Sequence, residues 1–570
     1  MKSPPPLPAL LKSESGLRAV VLCAGAIAIG FIFWRLQFST TAICCGDFDG
    51  YYHIKWSRML WDSLRHGIFP PPFTWLPLTT LDPKHFVDHH LLFHGFQIPF
   101  TWFGDLRLGA KISATLFGAL AVFACYWLIV RYRIRYPLLW LLALLACSAP
   151  FLYRLNMAKA PPFAIIYLVI GIHLMFKRKY WPLLPLAFIF TLTYDMFVLL
   201  VLAALFWTAV IGWTERRFDW RPLAWVVAGT VAGLVINPYF PTNVDLLYQH
   251  AKTKITTSDF STNVGKEWYP YDSWEFLGNS LVACVAMVAG YLAFDPADRQ
   301  RSHQSLFFLL FSTALMIMTA RWKRIAEYWP PFAVIFAAFA LQSWLQGVRS
   351  SLTRLPTDML DELQPFLDRP QTATRKNEDE LKALWRSIAL SVVAVLLGTV
   401  LFFNLRATIR DISSSEQHDY YRKGAEWMRA NVPPGQIVFN TDWDDFPRLF
   451  YYDSTHSYVS GLDPTYLYER DPALSKLYDR ITLGEIEDPA PLIRDRFGAR
   501  YVFTDNFHQD FFGNAHASGW FDIVYEDREC TILWIRDQKT DTESEPQPDE
   551  SEEPEPAEGG DTETDPNESP

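Results

Sequence analysis

Two short stretches of the sequence concentrate acidic and imidazole side chains. The first reads Gly46-Asp47-Phe48-Asp49-Gly50-Tyr51-Tyr52-His53, and the second runs from Asp82 to His94 and contains Asp88-His89-His90. Carboxylates and imidazoles are common ligands of divalent cations, and a bound cation can stabilise the charge that develops on a phosphate leaving group. The two stretches therefore predict a metal-assisted site for a phosphate-containing substrate.

The spacing of the acidic residues suggests which of them share the ion. Asp47 and Asp49 flank one aromatic residue, so in an extended or turn backbone both carboxylates project to the same side. Each histidine alone fits a structural role better, but the group taken together favours a functional one. The residues alone group Asp49 and Asp88 with either His89 or His90. The ligand set that we predict is Asp47, Asp49, Asp88 and His89, and the predicted ion is Mn²⁺ or Mg²⁺.

Two later segments add candidate charges. Glu267 lies in a long aromatic-rich loop, and we predict that it contributes a further carboxylate, the alternative being a solvated surface residue. The basic run from Arg321 to Arg324 stands beside Tyr328 and Trp329. A belt of cations at the lipid surface would explain this run, and so would a binding site for an anionic lipid phosphate.

A third candidate follows a predicted strand near the C-terminus. The run Asp442-Trp443-Asp444-Asp445 places three carboxylates and an indole in one loop. Binding residues often stand on loops held by a rigid scaffold, so the run predicts a recognition site. An acidic residue here could instead cap the helix that begins near Phe446.

These residues must be positioned by a membrane protein, because half of the 570 residues are apolar and gather in blocks. The apolar blocks predict about 11–13 membrane spans. The eleven marked segments are roughly 17–38, 108–131, 136–152, 161–177, 180–194, 195–213, 222–237, 276–294, 304–320, 328–346 and 384–404.

Basic residues in alternate short loops predict the orientation. They place the N-terminus and a linker, 347–383, in the cytoplasm, and the loops 39–107 and 238–275 outside. We expect a membrane domain over 1–404 and an outward-facing C-terminal α/β domain over 405–536.

The segment 537–570 carries fourteen Asp or Glu and one Lys, and predicts a disordered acidic tail. Because the whole chain has a net charge of −10, the tail accounts for its acidity. The sequence contains no Walker A or GxGxxG motif, and no basic aromatic surface suited to nucleic acid.

In this order the features resemble the single-subunit oligosaccharyltransferases of bacteria and archaea (PglB and AglB type) and, more broadly, membrane glycosyltransferases of the GT-C fold. The resemblance implies that Asp49-Gly50-Tyr51-Tyr52 belongs to the catalytic metal site, with Asp88-His89-His90 beside it. It implies that Glu267 binds the acceptor and that Arg321, Arg324 and His90 lie near the donor phosphate. The run Asp442–Asp445 occupies the place of that family's Trp-Trp-Asp-Tyr-Gly acceptor motif.

The sequence departs from the family pattern in two places. The second loop, Tyr153–Ala160, contains a lysine and no carboxylate, and the acceptor motif is only partly kept. The resemblance implies an inverting glycosyltransferase on the outer face of a bacterial or archaeal inner membrane. It would use a polyprenyl phosphate- or pyrophosphate-linked sugar, with Asp49 or Glu267 acting on a protein or glycan acceptor.

Other functions remain open from sequence. An enzyme of the same fold could modify a glycan, lipid or polymer, and a scaffold could keep the fold without the chemistry. A transporter should carry ionisable residues within its spans, and Asp195 is the one carboxylate that we consider for that role.

Overall fold

The computed structural model describes residues 13–45, 48–256, 266–295, 302–346 and 373–539. The predicted ligand Asp47 therefore lies outside the described residues. So do most of the predicted linker, 347–383, and the acidic tail from residue 540 onward.

The N-terminal part is a bundle of helices. Their bounds are α1 Glu14–Gln37, α2 Asp49–Arg65, α3 Leu91–Gln97, α4 Leu106–Arg131, α5 Pro137–Ala146, α6 Ala149–Leu155, α7 Pro161–Phe176, α8 Leu183–Thr193, α9 Val198–Glu215, α10 Arg221–Val235, α11 Thr242–Thr256, α12 Ser273–Asn279, α13 Leu281–Ala293, α14 Ser302–Arg321 and α15 Trp329–Gln346. A long helix, Ala373–Ser413, follows, so the predicted domain boundary at 404/405 falls within a helix.

The apolar blocks predicted from sequence coincide with helices. By length and composition, five helices in the described ranges can cross a membrane, and up to seven spans result if each of two bent helix pairs counts as one. The bent pairs are α5 with α6 and α12 with α13. Four shorter apolar helices match the remaining predicted segments, and the prediction of a helical multi-pass membrane domain is confirmed.

Close approach of backbones organises the centre of the bundle. At Gly118 in α4, an added Cβ would lie 2.5 Å from the carbonyl oxygen of Leu155 and 2.6 Å from the ring of Phe33. A residue with a side chain would push α1 and α6 away from α4. The glycine therefore lets α6, which carries site residues at its end, lie against the core.

A buried lysine fixes the segment that follows α1. Lys111 on α4 is 3% exposed, and its Nζ donates to the carbonyl oxygens of Gln37, Thr40 and Ala42 at 2.7, 2.9 and 2.7 Å. These three carbonyls lie beyond the hydrogen-bonding reach of α1 itself. The lysine thus directs the chain towards α2.

The C-terminal domain contains a five-stranded sheet in the order β2-β1-β3-β5-β4. Strands β1, β2 and β3 are parallel, whereas β5 runs antiparallel to both β3 and β4. The bounds are β1 Ile437–Asn440, β2 Ser457–Tyr458, β3 Tyr501–Asp505, β4 Phe521–Glu526 and β5 Cys530–Ile535. The flanking helices are Arg422–Asn431, Phe446–Tyr452, Thr465–Arg470, Pro472–Thr482, Ala490–Phe497 and Gln509–Ala517. The α/β domain predicted at the C-terminus is confirmed.

The first loop packs against this domain through aromatic side chains. Tyr52 and Trp56 of α2 share a buried cluster with Phe446 and Phe450. The ring centroids of Trp75 and Phe450 lie 5.0 Å apart, and the Trp75 Nε1 donates to the Ser454 carbonyl at 2.8 Å. The first loop and the C-terminal domain therefore lie on the same side of the helical bundle.

Replacing Lys111 by methionine tests its structural role. The variant keeps the length of the side chain but leaves three carbonyls without their donor, so it should lower the free energy of unfolding by about 2 kcal/mol or more. Thermal unfolding of the purified protein should show a lower melting temperature than the wild type. The exposed Lys84→Met is the matched control, and an equal effect in both variants would contradict the assigned role.

Candidate active site

A cavity of about 370 Å³ lies where the first loop, the ends of the membrane helices and the C-terminal domain meet. Its apolar lining comes mainly from α9, α10, α11 and α14. These side chains include Phe197, Val198, Leu199, Leu234, Leu247 and Met318. Its charged lining comes mainly from helix ends and loops, namely Asp49, Arg154, Lys159, Asp195, Lys254, Glu267, Arg324, Glu327 and Asp463.

Asp49 lies in this cavity as the first residue of α2. Its carboxylate forms an ion pair with Lys159, with Oδ2 2.8 Å from Nζ. Gly50 permits this approach, because an added Cβ would lie 2.7 Å from Ile43 and 3.2 Å from the Cβ of Ala158. Lys159, from the second loop, is thus the direct partner of the predicted catalytic aspartate.

Three other cavity residues form a group that can hold a metal ion. One ligand atom from each of His89, His90 and Asp195 lies within 4.8 Å of the other two. Burial lowers the pKa of His90 well below its usual value, and the neighbouring His89 and His53 lower it further. His90 is therefore neutral at pH 7 and able to donate a lone pair. Two imidazoles and one carboxylate suit Mn²⁺ better than Mg²⁺, which prefers oxygen ligands.

Asp88, predicted as a direct ligand, is instead held by protein groups. It is 3% exposed, and its carboxylate accepts hydrogen bonds from Trp56 Nε1 at 2.9 Å, His94 Nδ1 at 2.9 Å and the backbone N–H of His90 at 3.0 Å. Burial acts to raise its pKa, but His94 and Trp56 outweigh burial and lower it. Asp88 is thus an ionised anchor behind the histidines.

Through His94, Asp88 also orients His53, a histidine that lines the cavity. His94 Nε2 lies 2.8 Å from Nδ1 of His53, which lines the cavity. Because His94 donates its Nδ1–H to Asp88, its Nε2 accepts a hydrogen bond from His53 Nδ1–H, an assignment that follows from the hydrogen-bond network. Burial and the neighbouring His94 and Lys159 lower the pKa of His53 well below its usual value, so this side chain is neutral.

Glu267 belongs to a cluster of four buried or half-buried charges. Arg154 Nη2 lies 2.7 Å from Glu267 Oε2 and 2.5 Å from Glu327 Oε1, and Arg324 also pairs with Glu267. Arg324 donates to the Tyr194 hydroxyl at 2.9 Å, and its guanidinium lies 5.4 Å from the centroid of the Trp268 ring. Burial acts to raise the pKa of Glu267, but Arg324 and Arg154 outweigh it and lower the pKa. Held between two guanidiniums, Glu267 is a poor proton acceptor.

Several predicted site residues do not line the cavity. Arg321 lies over the ring of Trp322, with 5.7 Å from its guanidinium carbon to the ring centroid. The run Asp442–Asp445 follows the carboxyl end of β1. The C-terminal domain contributes Leu462, Asp463 and Tyr466 to the cavity, and Lys254 Nζ donates to both oxygens of Asp463 at 2.9 Å.

Some lining residues escaped the sequence analysis as site candidates. Asp195 was considered only for a transporter, although a lone carboxylate at the end of a span is a signal of function. Lys159 was noted as a departure rather than as a partner of Asp49. Glu327 is fully buried and lies three residues after Arg324, but no pattern in the sequence marks it as a site residue.

Removing Arg154 tests the charge cluster. Arg154→Met leaves the fully buried Glu327 without its partner, so the variant should lose about 3–5 kcal/mol of stability. The double variant Arg154→Met/Glu327→Gln should recover part of that loss, as measured by thermal unfolding of all variants. Arg321→Met serves as the control outside the cavity, and a double variant less stable than Arg154→Met would contradict the pairing.

No protein-family model and no curated sequence relative matches the chain. Solved membrane enzymes do match its structure. The Archaeoglobus fulgidus oligosaccharyltransferase in its apo form has a TM-score of 0.57 at 13% identity, covering 85% of this chain and 69% of that chain. The archaeal oligosaccharyltransferase AglB from the same organism, in complex with an inhibitory peptide and a dolichol-phosphate, has a TM-score of 0.55 at 12% identity, covering 88% and 73%.

ArnT from Cupriavidus metallidurans bound to undecaprenyl phosphate is also similar. It has a TM-score of 0.51 at 13% identity, and the match covers 91% of this chain and 98% of that one. The likeness extends over the helical bundle and the C-terminal domain. The chain therefore has the GT-C fold that these membrane enzymes share.

Proposed function

We propose that this chain is an inverting membrane glycosyltransferase that uses a sugar linked to a polyprenyl phosphate or pyrophosphate. The observation that carries the proposal is the composition of the cavity, which joins an apolar lining from membrane helices to a dense set of charges. A polyprenyl phosphate has the same two parts, a hydrocarbon chain and an anionic head. Two enzymes of this fold were solved with such lipids, dolichol-phosphate and undecaprenyl phosphate.

Arg324 is the best-placed group for the donor phosphate. Its Nε is buried and has no hydrogen-bond partner among the described residues. An unpartnered guanidinium donor is costly in the absence of a ligand and forms a strong charge-assisted bond to a phosphate oxygen. Glu267 then acts by holding Arg324 and Arg154 in place, which replaces its predicted role as a base.

The charge of the cavity supports a bound cation. Its lining contains four Lys or Arg side chains and five carboxylates, so these groups together carry one net negative charge, which disfavours a phosphate. His89, His90 and Asp195 are the residues that would hold Mn²⁺ there. A bound divalent ion would make the lining net positive and stabilise the charge on the departing phosphate.

Asp49 is the proposed general base. It would accept the proton of the acceptor nucleophile as that atom attacks the anomeric carbon, while the bond from that carbon to the phosphate oxygen breaks. Attack opposite the leaving phosphate inverts the configuration. Lys159 holds the Asp49 carboxylate at one position, which favours the alignment that such displacement requires.

Asp49→Asn should lower the rate of sugar transfer by about 100- to 10,000-fold, because the amide cannot accept the proton. The measurement is transfer of label from polyprenyl phosphate-linked sugars in membranes that contain the full chain. Asp62→Asn changes a half-exposed carboxylate on the same helix and should transfer at the wild-type rate. Full activity of a correctly inserted Asp49→Asn protein would contradict the assignment.

Asp195→Asn and His89→Ala should weaken Mn²⁺ binding at least about tenfold and reduce transfer in parallel. Binding is followed by the electron paramagnetic resonance signal of free Mn²⁺ during titration of EDTA-treated protein. The exposed His66→Ala is the control. Unchanged binding in both variants would rule out this ligand set.

One observation favours an acceptor other than a sequon asparagine. The second loop supplies Arg154 and Lys159 in place of carboxylates, and the run Asp442–Asp445 does not line the cavity. Among the described residues, the cavity lining therefore contains Glu267 but neither a second-loop carboxylate nor the run Asp442–Asp445, two of the groups implied to grip a peptide. Offering labelled donor with a sequon peptide, with a glycan and with membrane lipid would identify the acceptor class, and label in the peptide would exclude this second candidate.

A further inference from the structure

A second cluster of metal-ligating side chains lies in the C-terminal domain, away from the cavity. One ligand atom from each of Asp442, Asp505 and His508 lies within 4.8 Å of the other two. None of these residues lines the cavity. The cluster is therefore a separate place in the fold from the cavity proposed for sugar transfer.

The sheet topology brings these residues together. Strands β1 and β3 are parallel neighbours, with Asn440 opposite Phe503, so their carboxyl ends lie at the same edge of the sheet. Asp442 follows the end of β1, and Asp505 is the last residue of β3. Ligand sites in parallel sheets are commonly found at this edge.

Local hydrogen bonds fix two of the side chains. Asp505 Oδ1 accepts from the backbone N–H of Phe507 at 2.8 Å and from His508 Nδ1 at 2.7 Å. Asp442 Oδ1 accepts from the backbone N–H of Asp444 at 3.0 Å. A histidine whose Nδ1–H is held by a carboxylate presents Nε2 in a defined direction, as metal-binding histidines commonly do.

One buried carboxylate oxygen beside the cluster has no hydrogen-bond partner among the described residues, which supports a ligand here. Asp445 is 4% exposed, and its Oδ2 has no hydrogen-bond partner among the described residues. Its backbone N–H donates to the Asp442 carbonyl oxygen at 3.4 Å, so Asp445 lies beside the cluster. A buried acceptor left unsatisfied is costly.

We propose that Asp442, Asp505 and His508 bind a divalent transition-metal ion, Mn²⁺ or Zn²⁺, beside the buried Asp445 carboxylate. Two carboxylates and one imidazole form a mixed oxygen and nitrogen set, which suits these ions better than Ca²⁺ with its six to eight oxygen ligands. The ion would join the loop after β1 to the end of β3. It would also fix Trp443 and Asp444, which the sequence analysis assigned to acceptor recognition.

Metal binding to the full chain tests the proposal. EDTA-treated wild-type protein is titrated with Mn²⁺ and, separately, with Zn²⁺, and the bound equivalents are counted by paramagnetic resonance and by calorimetry. Asp442→Asn and His508→Ala should each bind one equivalent fewer than the wild type. Asp510→Asn, an exposed carboxylate two residues beyond His508, should retain the full number.

Further comparisons separate this site from the cavity. Asp195→Asn should lose a different equivalent, so the double variant Asp195→Asn/Asp442→Asn should lose both. If Asp442→Asn and His508→Ala bind as many equivalents of both metals as the wild type, the proposal is overturned. The two sites can therefore fail independently of each other.

Metal-directed cleavage of the wild-type chain avoids dependence on variants that fold poorly. Protein loaded with Fe²⁺ and treated with ascorbate and peroxide is cut near bound iron, and mass spectrometry locates the cuts. The proposal predicts cuts at 441–446 and at 504–509. Cuts confined to other segments would overturn it.

Discussion

The paired charges of Arg154, Glu267, Arg324 and Glu327 are the interaction on which the site depends. They join the end of α6, the loop before α12 and the segment between α14 and α15, which are more than fifty residues apart in the chain. A single charge buried near the membrane is costly, so each member needs the others. Because an unpaired buried charge is costly, the arginine side chains stay in their ion pairs. These pairs give this part of the cavity wall a defined shape.

Contacts elsewhere in the structure hold in place the helices and loops around these paired charges. Gly50 lets α2 approach Ile43 and Ala158, and Gly118 lets the end of α6 lie against α4. Lys111 directs the chain after α1, and the aromatic cluster around Trp56 and Phe450 holds the C-terminal domain over the cavity. The proposed substrate would enter a site that is already formed, which lowers the entropic cost of aligning it.

Much of the fold could be predicted from sequence, because apolar blocks and turn residues determine where helices and strands occur. Eleven apolar segments coincide with helices or bent helix pairs, and the parallel strands β1 and β3 occur where β-branched and aromatic residues cluster. The short strand β2 has only two residues and no pattern that distinguishes it. The break between α5 and α6 was also missed, since an apolar run does not reveal a bend.

The site was less predictable, because side-chain partners depend on tertiary contacts. Asp49, His89 and His90 were identified by their density in one loop, and all three line the cavity. Asp88 belongs to the same motif but points to Trp56 and His94, a choice that only the packing of α2 on α3 determines. Lys159 and Asp195 come from segments more than a hundred residues from Asp49, and no local pattern marks them as partners.

The proposed chemistry depends on a polyprenyl phosphate that binds in the cavity with its head at Arg324. Photocrosslinking of the full chain with a polyprenyl phosphate that carries a photoreactive group near the phosphate, followed by mapping of the adducts, examines this binding mode directly. Adducts are expected within 191–199, 243–254 and 318–327, all reduced by an excess of unlabelled polyprenyl phosphate. Adducts confined to exposed helix residues such as Val285 and Leu292, with no competition, would exclude this binding mode.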